Sequence, residues 1–566
     1  MSTETAASAA KKVTHNEELK TAIPTLAGNV AATMSDPVAD RFSDDDTQFL
    51  KFHGIYQQDD RDLRKAGKKY MFMIRGRIPG GVLAPDGYLT YDRLATEYGN
   101  NTLRITSRQS FQFHGVVMKG LGPLMKRINE AMMDTLAACG DVNRNVMAPA
   151  APVTSTLALR VNDDARRVSE ALLPKTKAYH SIWVEGVQLN LEDESNKSFV
   201  DPLYGATYLP RKFKIAFAIA PVNDVDLLTN DLGFTAITDA DGNLEGYNLT
   251  AGGGLGRSHG NTMTFPRLAD LIGFFKPEQL ISIARAVLTI HRDFGDRTDR
   301  KHARLKYVIE EKGVAWFRGE LEQRTGFKFD PAREAVFTKQ GDPFGWHRQA
   351  DGRLFLCLFV LTGRIKDTDG YRLKSALRAT VEKFRMEVRL TPSQNIILAN
   401  IPADQKDAVT ALLAEHGVPV ENQGTVIRRA SMACPALPTC GLSLAESERY
   451  LPGLIDRIEA ILGEIGMRDE EIVIRMTGCP NGCARPYAAE LGFVGKAPGR
   501  YQVWVGGNES STRLNRVYRE TMKDTEMDAE LRALFDRWKS TRIGGERFGD
   551  WAARIVWPEL QATAAP

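Results

Sequence analysis

The sequence predicts an α+β fold in which two β-α-β units and two larger α/β lobes are related by an internal duplication. Residues 103–109 (LRITSRQ) reappear in similar form as residues 388–394 (VRLTPSQ). Each run follows a strand-like run (residues 70–78 and 353–361) and then a helical pattern (residues 90–98 and 371–384), which is the order of a β-α-β unit. The chain of 566 residues is long enough for several hydrophobic cores, because single domains seldom exceed about 250–300 residues. We therefore expect two homologous halves that pack face to face, with a binding site between them.

The first element is an N-terminal segment, residues 1–47, which is rich in Ala, Thr, Ser and Asp. This composition predicts a mobile segment ahead of the first β-α-β unit. The segment has neither the basic start nor the apolar run of a secretory signal peptide. Its acidic residues argue against a transit peptide, because transit peptides are poor in acidic residues. We therefore expect a cytoplasmic protein.

The two β-α-β units are predicted at residues 65–135 and 346–415, and the lobes at residues 140–335 and 424–560. Further repeats support the lobes: LGF at 232–234 recurs at 491–493. YNLTAGG at 247–253 is similar to YQVWVGG at 501–507, and GDVNR at 140–144 is similar to GTVIR at 424–428. The repeat places residues 210–214 (PRKFK) opposite residues 479–483 (CPNGC). One lobe would then present cations where the other presents thiols.

Four cysteines in the second lobe have a spacing that fits an iron–sulfur cluster. Five residues separate Cys434 from Cys440, and three separate Cys479 from Cys483. Four thiolates from two distant segments can hold iron and sulfide, which implies electron transfer. A zinc site is the alternative, although zinc-binding cysteine pairs are usually separated by roughly two to four residues. The remaining two cysteines, at positions 139 and 357, are predicted to be core thiols.

Basic residues cluster locally although the net charge is only +3. Arg104 and Arg108 lie in a run too apolar for an exposed strand, and the nearby sequence offers few carboxylates to pair with them. Burying an unpaired cation costs several kcal/mol, so a polyanionic ligand is expected. The clustered cations are Arg75, Arg77, Arg104, Arg108, Arg144, Arg211, Lys212, Lys214, Arg300, Lys301, Arg304 and Lys306.

Several classes of function are disfavoured by the sequence. A nearly neutral chain gives no support for nucleic-acid binding. The longest apolar run is far shorter than the roughly 18 residues of a membrane span. The glycines at 252–254 and 256 do not form the G-x-G-x-x-G fingerprint that opens a helix, so no dinucleotide site is expected. They would instead allow the backbone to approach a flat ligand or to form a tight turn.

Taken together, these motifs resemble those of the sulfite and nitrite reductases that contain sirohaem and a 4Fe–4S cluster. The resemblance runs from about residue 52 to residue 551 and is closest to the NADPH-dependent assimilatory branch of that family. Besides the cysteine pairs it rests on KFHGIYQQDDR at 51–61, RITSRQSFQFH at 104–114, NRN at 143–145 and LPRKFK at 209–214. It implies that the β-α-β units are ferredoxin-like halves and that both lobes bind cofactors. It also implies a six-electron reduction of sulfite to sulfide for cysteine biosynthesis.

The resemblance further implies roles for individual residues. Cys483 would bind both the cluster and the sirohaem iron, and the set of cluster ligands would be Cys434, Cys440, Cys479 and Cys483. The set of substrate-binding cations would be Arg75, Arg144, Lys212 and Lys214. The sirohaem carboxylates would be bound by Arg104, Arg108 and Arg211, with Gln112, His114 and Lys306 as additional contacts.

An external electron donor is also implied, because the chain has no flavin or nicotinamide motif. The donor would be a flavoprotein carrying FAD and FMN, or alternatively a ferredoxin. The nearest rival function is reduction of nitrite to ammonia, but relatives that prefer nitrite tend to carry asparagine where this chain has Lys214. A more distant rival is a non-catalytic iron–sulfur or zinc protein. No nucleic-acid or membrane partner is expected.

Overall fold

The computed structural model describes residues 12–152, 155–176, 182–184, 187–189 and 199–564. The predicted α+β class is confirmed: mixed helices and sheets form two β-α-β halves and two lobes. Buried hydrophobic residues form one large core in each lobe and a third core shared by the two halves. Among the described residues, no helix is both long enough and apolar enough to cross a membrane.

The N-terminal segment contributes three helices: α1 (His15–Ala22), α2 (Val30–Ser35) and α3 (Asp44–Phe52). Leu26 is fully buried and Phe49 nearly so, and both belong to the core of the first lobe. Lys20 is also buried, with its Nζ 2.6 Å from Glu17 Oε1 and 3.5 Å from Asp141 Oδ2. The prediction that residues 1–47 are mobile is therefore wrong for residues 12–47, which pack against the first lobe.

Replacing the buried Leu26 with alanine is expected to destabilise the first lobe by about 2–5 kcal/mol, because a cavity forms beneath the N-terminal segment. Val38, in the same segment, is 85% exposed, so Val38→Ala is the matched control and should change stability little. The measurement is the denaturant midpoint of each purified variant. Equal midpoints for the two variants would show that the segment does not contribute to the core.

The first half contains a sheet flanked by two helices. Its elements are β1 (Ile55–Asp59), β2 (Tyr70–Arg75), β3 (Val82–Leu83), α4 (Pro85–Glu97), β4 (Leu103–Ile105), β5 (Phe111–Val116) and α5 (Met118–Glu130). In α4, Tyr88, Tyr91, Leu94 and Ala95 are buried at helical spacing, so one face packs on the sheet.

The first lobe is a sheet with the order β11-β10-β9-β8, in which β8 and β9 are parallel. Its elements are α6 (Thr156–Ala171), β6 (Ile182–Val184), β7 (Val187–Leu189), β8 (Ile215–Ile219), β9 (Leu232–Thr238), β10 (Leu244–Ala251), β11 (Asp270–Phe275), α7 (Leu280–Phe294), α8 (Leu305–Lys312) and α9 (Val314–Thr325). The strands are rich in Ile, Leu and Phe and are largely buried on both faces.

The second half repeats the design of the first. Its elements are β12 (Gly345–Arg348), β13 (Leu354–Leu358), β14 (Arg364–Ile365), β15 (Asp367–Thr368), β16 (Tyr371–Arg372), α10 (Leu373–Phe384), β17 (Glu387–Leu390), β18 (Ile396–Ile401) and α11 (Lys406–Glu415). The halves exchange edge strands: β14 pairs with β4 of the first half, and β3 pairs with β17 of the second. This exchange fixes the two repeated segments, 103–109 and 388–394, close to each other.

The second lobe is a sheet with the order β19-β20-β21-β22-β23, in which β19, β20 and β21 are parallel. Its elements are α12 (Val426–Arg429), β19 (Ser431–Ala433), α13 (Leu451–Glu464), β20 (Ile474–Thr477), β21 (Leu491–Ala497), β22 (Arg500–Val505), β23 (Arg516–Lys523), α14 (Asp524–Thr541), α15 (Phe548–Trp551) and α16 (Trp557–Ala564).

The four strands of the first lobe's sheet correspond to the last four strands of the second lobe's sheet, which corrects one part of the predicted repeat. In the first lobe β8 pairs with β9 (Ile215 with Leu232), and in the second β20 pairs with β21 (Ile474 with Leu491). Residues 479–483 follow β20, whereas residues 210–214 precede β8, so the predicted opposition of these two segments is wrong. The equivalent of the cysteine-bearing loop is instead the connection between β8 and β9, residues 220–231. Sequence matching failed here because β8 itself separates residues 210–214 from the LGF repeat.

Candidate functional site

The two cysteine pairs meet because they follow adjacent parallel strands. Cys434 comes directly after β19, and Cys479 follows β20 after a single glycine. Carboxyl ends of neighbouring parallel strands lie at the same edge of a sheet. The backbone N–H of Gly478 donates to Cys434 Sγ at 3.3 Å, which fixes the two loops directly to each other.

The loop that carries Cys440 is held by the same glycine. The backbone N–H groups of Leu444 and Ala445 both donate to the Gly478 carbonyl, at 2.7 and 3.0 Å. A Cβ at position 478 would lie 2.0 Å from Ser443 Oγ, so a larger residue would separate the loops. Close packing at Gly478 therefore sets the distance between the two cysteine pairs.

The four thiols lie within electrostatic range of one another. Burial, with further contributions from the other thiols, raises the pKa of Cys434 well above its usual value and that of Cys479 to about 12. The pKa of Cys440 is also raised by burial and by Cys483. These groups are therefore protonated until a metal displaces the protons.

The donor set fits an iron–sulfur cluster, because four soft sulfur donors suit iron and sulfide. Zinc also accepts four cysteine ligands, and the absorption spectrum described below distinguishes the two.

The four predicted substrate-binding cations are electrostatic neighbours in a chain, and Arg75 and Lys212 connect that chain to Cys483. Lys212 and Lys214 lie on the segment that leads into β8, and Arg75 ends β2. Lys212 interacts electrostatically with Cys483, Arg144 and the neighbouring arginines, and Arg75 also interacts with Cys483. The cation cage, as we call Arg75, Arg144, Lys212 and Lys214, thus adjoins the most exposed of the four thiols.

The amines of the cage form no ion pair within the described part of the chain. There, neither Lys212 Nζ nor Lys214 Nζ donates a hydrogen bond or lies at salt-bridge distance from a carboxylate, and the same is true of the Arg211 guanidinium. Asp231 and Asp141 act on Lys214 and Arg211 only as more distant charges. Burial and the neighbouring Arg211 lower the pKa of Lys212 to about 7. Burial and the adjacent Lys212 lower that of Lys214 well below its usual value. Such a cluster of cations favours binding of an anion.

Other predicted sirohaem contacts already have partners within the protein. Arg104 Nε donates to Glu448 Oε2 at 2.8 Å, and its Nη2 donates to two backbone carbonyls. Arg108 Nη1 donates to Asn230 Oδ1 at 2.8 Å, and its Nη2 to two further carbonyls. Lys306 Nζ donates to the carbonyls of Gly254, Gly256 and Phe265.

Carboxylates from other segments of the chain pair with three of the clustered arginines, which the nearby sequence does not show. Glu448 pairs with Arg104, Asp231 with Arg304 and Asp141 with Arg300. These carboxylates are distant in sequence: 344 residues separate Arg104 from Glu448. The assignment of Arg104, Arg108 and Lys306 to sirohaem stays a prediction.

The glycines at 252–256 are also explained by the protein itself. A Cβ at Gly254 would lie 2.7 Å from the Arg304 guanidinium, and one at Gly253 would lie 2.2 Å from the Leu228 carbonyl oxygen. The absence of a side chain is required at Gly254 for packing against Arg304 and at Gly253 for packing against the backbone at Leu228.

Gln112 and His114 orient one cation of the cage. The Gln112 amide oxygen faces Arg75 and accepts hydrogen bonds from its Nη2 at 2.6 Å and its Nε at 3.0 Å. The other amide atom lies 3.3 Å from His114 Nε2. Burial, aided by Arg364, lowers the pKa of His114 well below its usual value, so the ring is neutral.

Sequence reasoning missed the role of Cys139. It is buried, as predicted for a core thiol, but its Sγ accepts a 3.0 Å hydrogen bond from Arg75 Nη1. Burial and Cys139 together raise the pKa of the adjacent Tyr56 to about 12. The sequence signal for this role was the position of Cys139 five residues before Arg144, another predicted substrate-binding cation. Cys357, in contrast, is a core thiol within the second half.

Comparison with known families identifies two kinds of domain. The model described as "Nitrite/Sulfite reductase ferredoxin-like half domain" matches residues 64–131 and 347–416. The model described as "Nitrite and sulphite reductase 4Fe-4S domain" matches residues 164–329, in the first lobe. The four cysteines lie outside these ranges, in the second lobe, whose sheet has a corresponding strand pairing.

Similar proteins cover almost the whole chain. The sulfite reductase (NADPH) hemoprotein beta-component of Myxococcus xanthus is 48% identical, covering 96% of this chain and 97% of its own. The protein of the same name from Geobacillus kaustophilus is 46% identical and covers 95% of both chains. Among solved structures, the NirA protein of Mycobacterium tuberculosis superposes with a TM-score of 0.77 at 25% identity, covering 96% of this chain and 97% of its own.

Proposed function

The chain belongs to the nitrite and sulphite reductase family, and we propose that its cation cage binds the sulfite that the enzyme reduces. The enzyme is an NADPH-dependent sulfite reductase, of which this chain is the hemoprotein component, and it reduces sulfite to sulfide. It uses sirohaem and a 4Fe–4S cluster. The observation that carries the proposal is the adjacency of the cage to Cys483. An anion-binding site and a redox-metal ligand thus meet at one point.

The four cysteines of the second lobe are the proposed cluster ligands, with Cys483 shared between cluster and sirohaem iron. When bound, the two cofactors supply the electrons and the metal coordination position at which sulfite is reduced. The Arg211 guanidinium is available to a sirohaem carboxylate, because among the described residues it donates no hydrogen bond and forms no salt bridge.

The protein's own part in the reaction is to bind sulfite and to deliver protons. Sulfite is a compact anion with up to two charges, which four cations can surround. Each cleaved S–O bond releases its oxygen as water, so protons must reach that oxygen. Lys212, whose pKa lies near 7, and Lys214 can donate them, whereas the guanidinium groups of Arg75 and Arg144 stabilise negative oxygen.

An electron-donating partner completes the proposed activity. The relatives are named as a beta component that depends on NADPH, which supports a separate flavoprotein carrying FAD and FMN as the donor. Ferredoxin remains the alternative donor. The proposed location of the protein is the cytoplasm.

The catalytic efficiency, kcat/KM for sulfite, is expected to fall as the pH rises above about 7. Lys212 has a lowered pKa, so its charge and its transferable proton are both lost as the pH rises through that value. In Lys212→Arg this titration disappears, while sulfite's own protonation stays the same for both enzymes. The pH profiles should therefore differ in shape. Superimposable profiles would contradict proton delivery by Lys212.

The absorption spectrum of the purified protein tests the cofactor assignment. We expect Soret and near-red haem bands together with iron and acid-labile sulfide. A colourless protein loaded with zinc would overturn the assignment and favour a zinc-stabilised binding protein.

A further inference from the structure

Cys483 lies on a loop with no regular secondary structure, between β20 and a short turn at Pro486–Ala488. A ligand shared by two cofactors must nevertheless be held in one position, because small displacements of a reacting group reduce rates strongly. The surrounding contacts show how this loop is fixed.

Two contacts fix the loop on the side of the first half. Ser107 Oγ donates to the Cys483 carbonyl at 2.8 Å. Arg485, two residues after Cys483, donates from Nη1 to the Ser107 carbonyl at 2.7 Å and from Nη2 to the Pro392 carbonyl at 3.0 Å. Ser107 and Pro392 belong to the repeated segments of the two halves. One arginine thus joins the cysteine loop to both.

Asp226 holds Arg485 from the first lobe. It is fully buried and forms ion pairs with Arg485 and with Arg475, whose Nη1 lies 2.6 Å from Asp226 Oδ2. Asn230 connects Asp226 to the segment that carries Ser107. Its Nδ2 donates to the Asp226 carbonyl, and its Oδ1 accepts from Arg108, the residue after Ser107. These contacts form a closed ring, of which the cysteine loop is one member.

Asp226 and Arg485 are equivalent positions of the duplication. Each stands six residues before the first paired residue of its strand, Leu232 or Leu491. Each has left-handed backbone angles, with φ of 47° and 57°, and each precedes a short 3₁₀ turn. The two lobes therefore meet through a carboxylate and a guanidinium at matching positions, and this contact joins the duplicated lobes at the cysteine loop.

We propose that Ser107, Arg485 and Asp226 are positioning residues for Cys483: they hold its thiolate where it can serve both cofactors. This inference rests on the proposed role of Cys483. The three side chains do not belong to the cation cage, so they act on the geometry of the ligand and not on the binding of sulfite.

The test uses the complete holoprotein with reduced viologen as donor. Ser107→Ala should keep its iron and acid-labile sulfide, shift the haem absorption bands and lower kcat roughly fivefold, the effect of one lost hydrogen bond. The KM for sulfite should stay unchanged. Ser107→Thr keeps the hydroxyl and should restore both the spectrum and kcat. Asp226→Asn, which leaves two buried arginines without their counter-ion, should lower haem content and kcat further.

A Ser107→Ala protein with the wild-type spectrum and kcat would overturn the proposal, as would a change confined to the KM for sulfite. If Asp226→Asn fails to fold, the comparison of Ser107→Ala with Ser107→Thr still tests the positioning role. The wild-type protein separates the two levels of inference. Absence of sulfide production by the wild type would refute the proposed function, whereas an active wild type with an indistinguishable Ser107→Ala variant refutes only the positioning role.

Discussion

Replacing Cys483 with serine is expected to abolish sulfite reduction, with a loss of at least about a thousandfold in kcat. A serine hydroxyl is a poor ligand for iron, and this position is proposed to serve two cofactors at once. The haem bands should shift or disappear in the same variant, because the link between haem and cluster is removed.

The matched control is Cys357→Ala, which removes a buried thiol from the core of the second half. That variant should keep the haem spectrum and the turnover even if its stability falls. The measurements are the absorption spectrum, the iron content and viologen-driven sulfide formation. A Cys483→Ser protein with wild-type bands and turnover would show that another residue holds the haem.

Replacing Lys214 with asparagine is expected to change the substrate preference. The catalytic efficiency for sulfite should fall about 10- to 100-fold, because one of four cations that surround a dianion is lost. Turnover of nitrite should rise, since a smaller monoanion needs less positive charge. Both rates are measured with the same viologen donor.

The exposed Lys301 provides the control, because Lys301→Asn removes a positive charge outside the cage. It should leave both activities at the wild-type level. If sulfite and nitrite turnover fall together in Lys214→Asn, this lysine is required for catalysis but does not discriminate between the two anions.

The sequence predicted those parts of the fold that carry a local pattern. The strand at residues 70–78 and the helix at 371–384 correspond to β2 and α10, and the repeated segments lie at equivalent places. The exchange of β3 and β14 between the halves was not predictable, because two-residue strands have no periodicity. The N-terminal segment was misjudged for a different reason. Its buried residues are few and include Lys20, whose burial depends on carboxylates that composition does not reveal.

The site was predictable to the extent that its residues stand in short motifs. The cysteine pairs and the PRKFK segment could be recognised directly. Glu448, Asp226 and Arg485 could not, since each acts on a group far away in sequence. The alignment of the two lobes could not be predicted from the sequence either. In the first lobe, β8 lies between residues 210–214 and the LGF repeat at 232–234, whereas no strand lies between residues 479–483 and the LGF repeat at 491–493.

The number of electrons consumed per sulfide formed is the most direct test of the proposed activity. Purified holoprotein is incubated anaerobically with sulfite and a known amount of reduced viologen, and sulfide and oxidised viologen are both measured. We expect six electrons for each sulfide, with sulfite consumption equal to sulfide production. Oxidation of viologen without sulfide, or no oxidation by a protein that contains both cofactors, would contradict the assignment of this chain as a sulfite reductase.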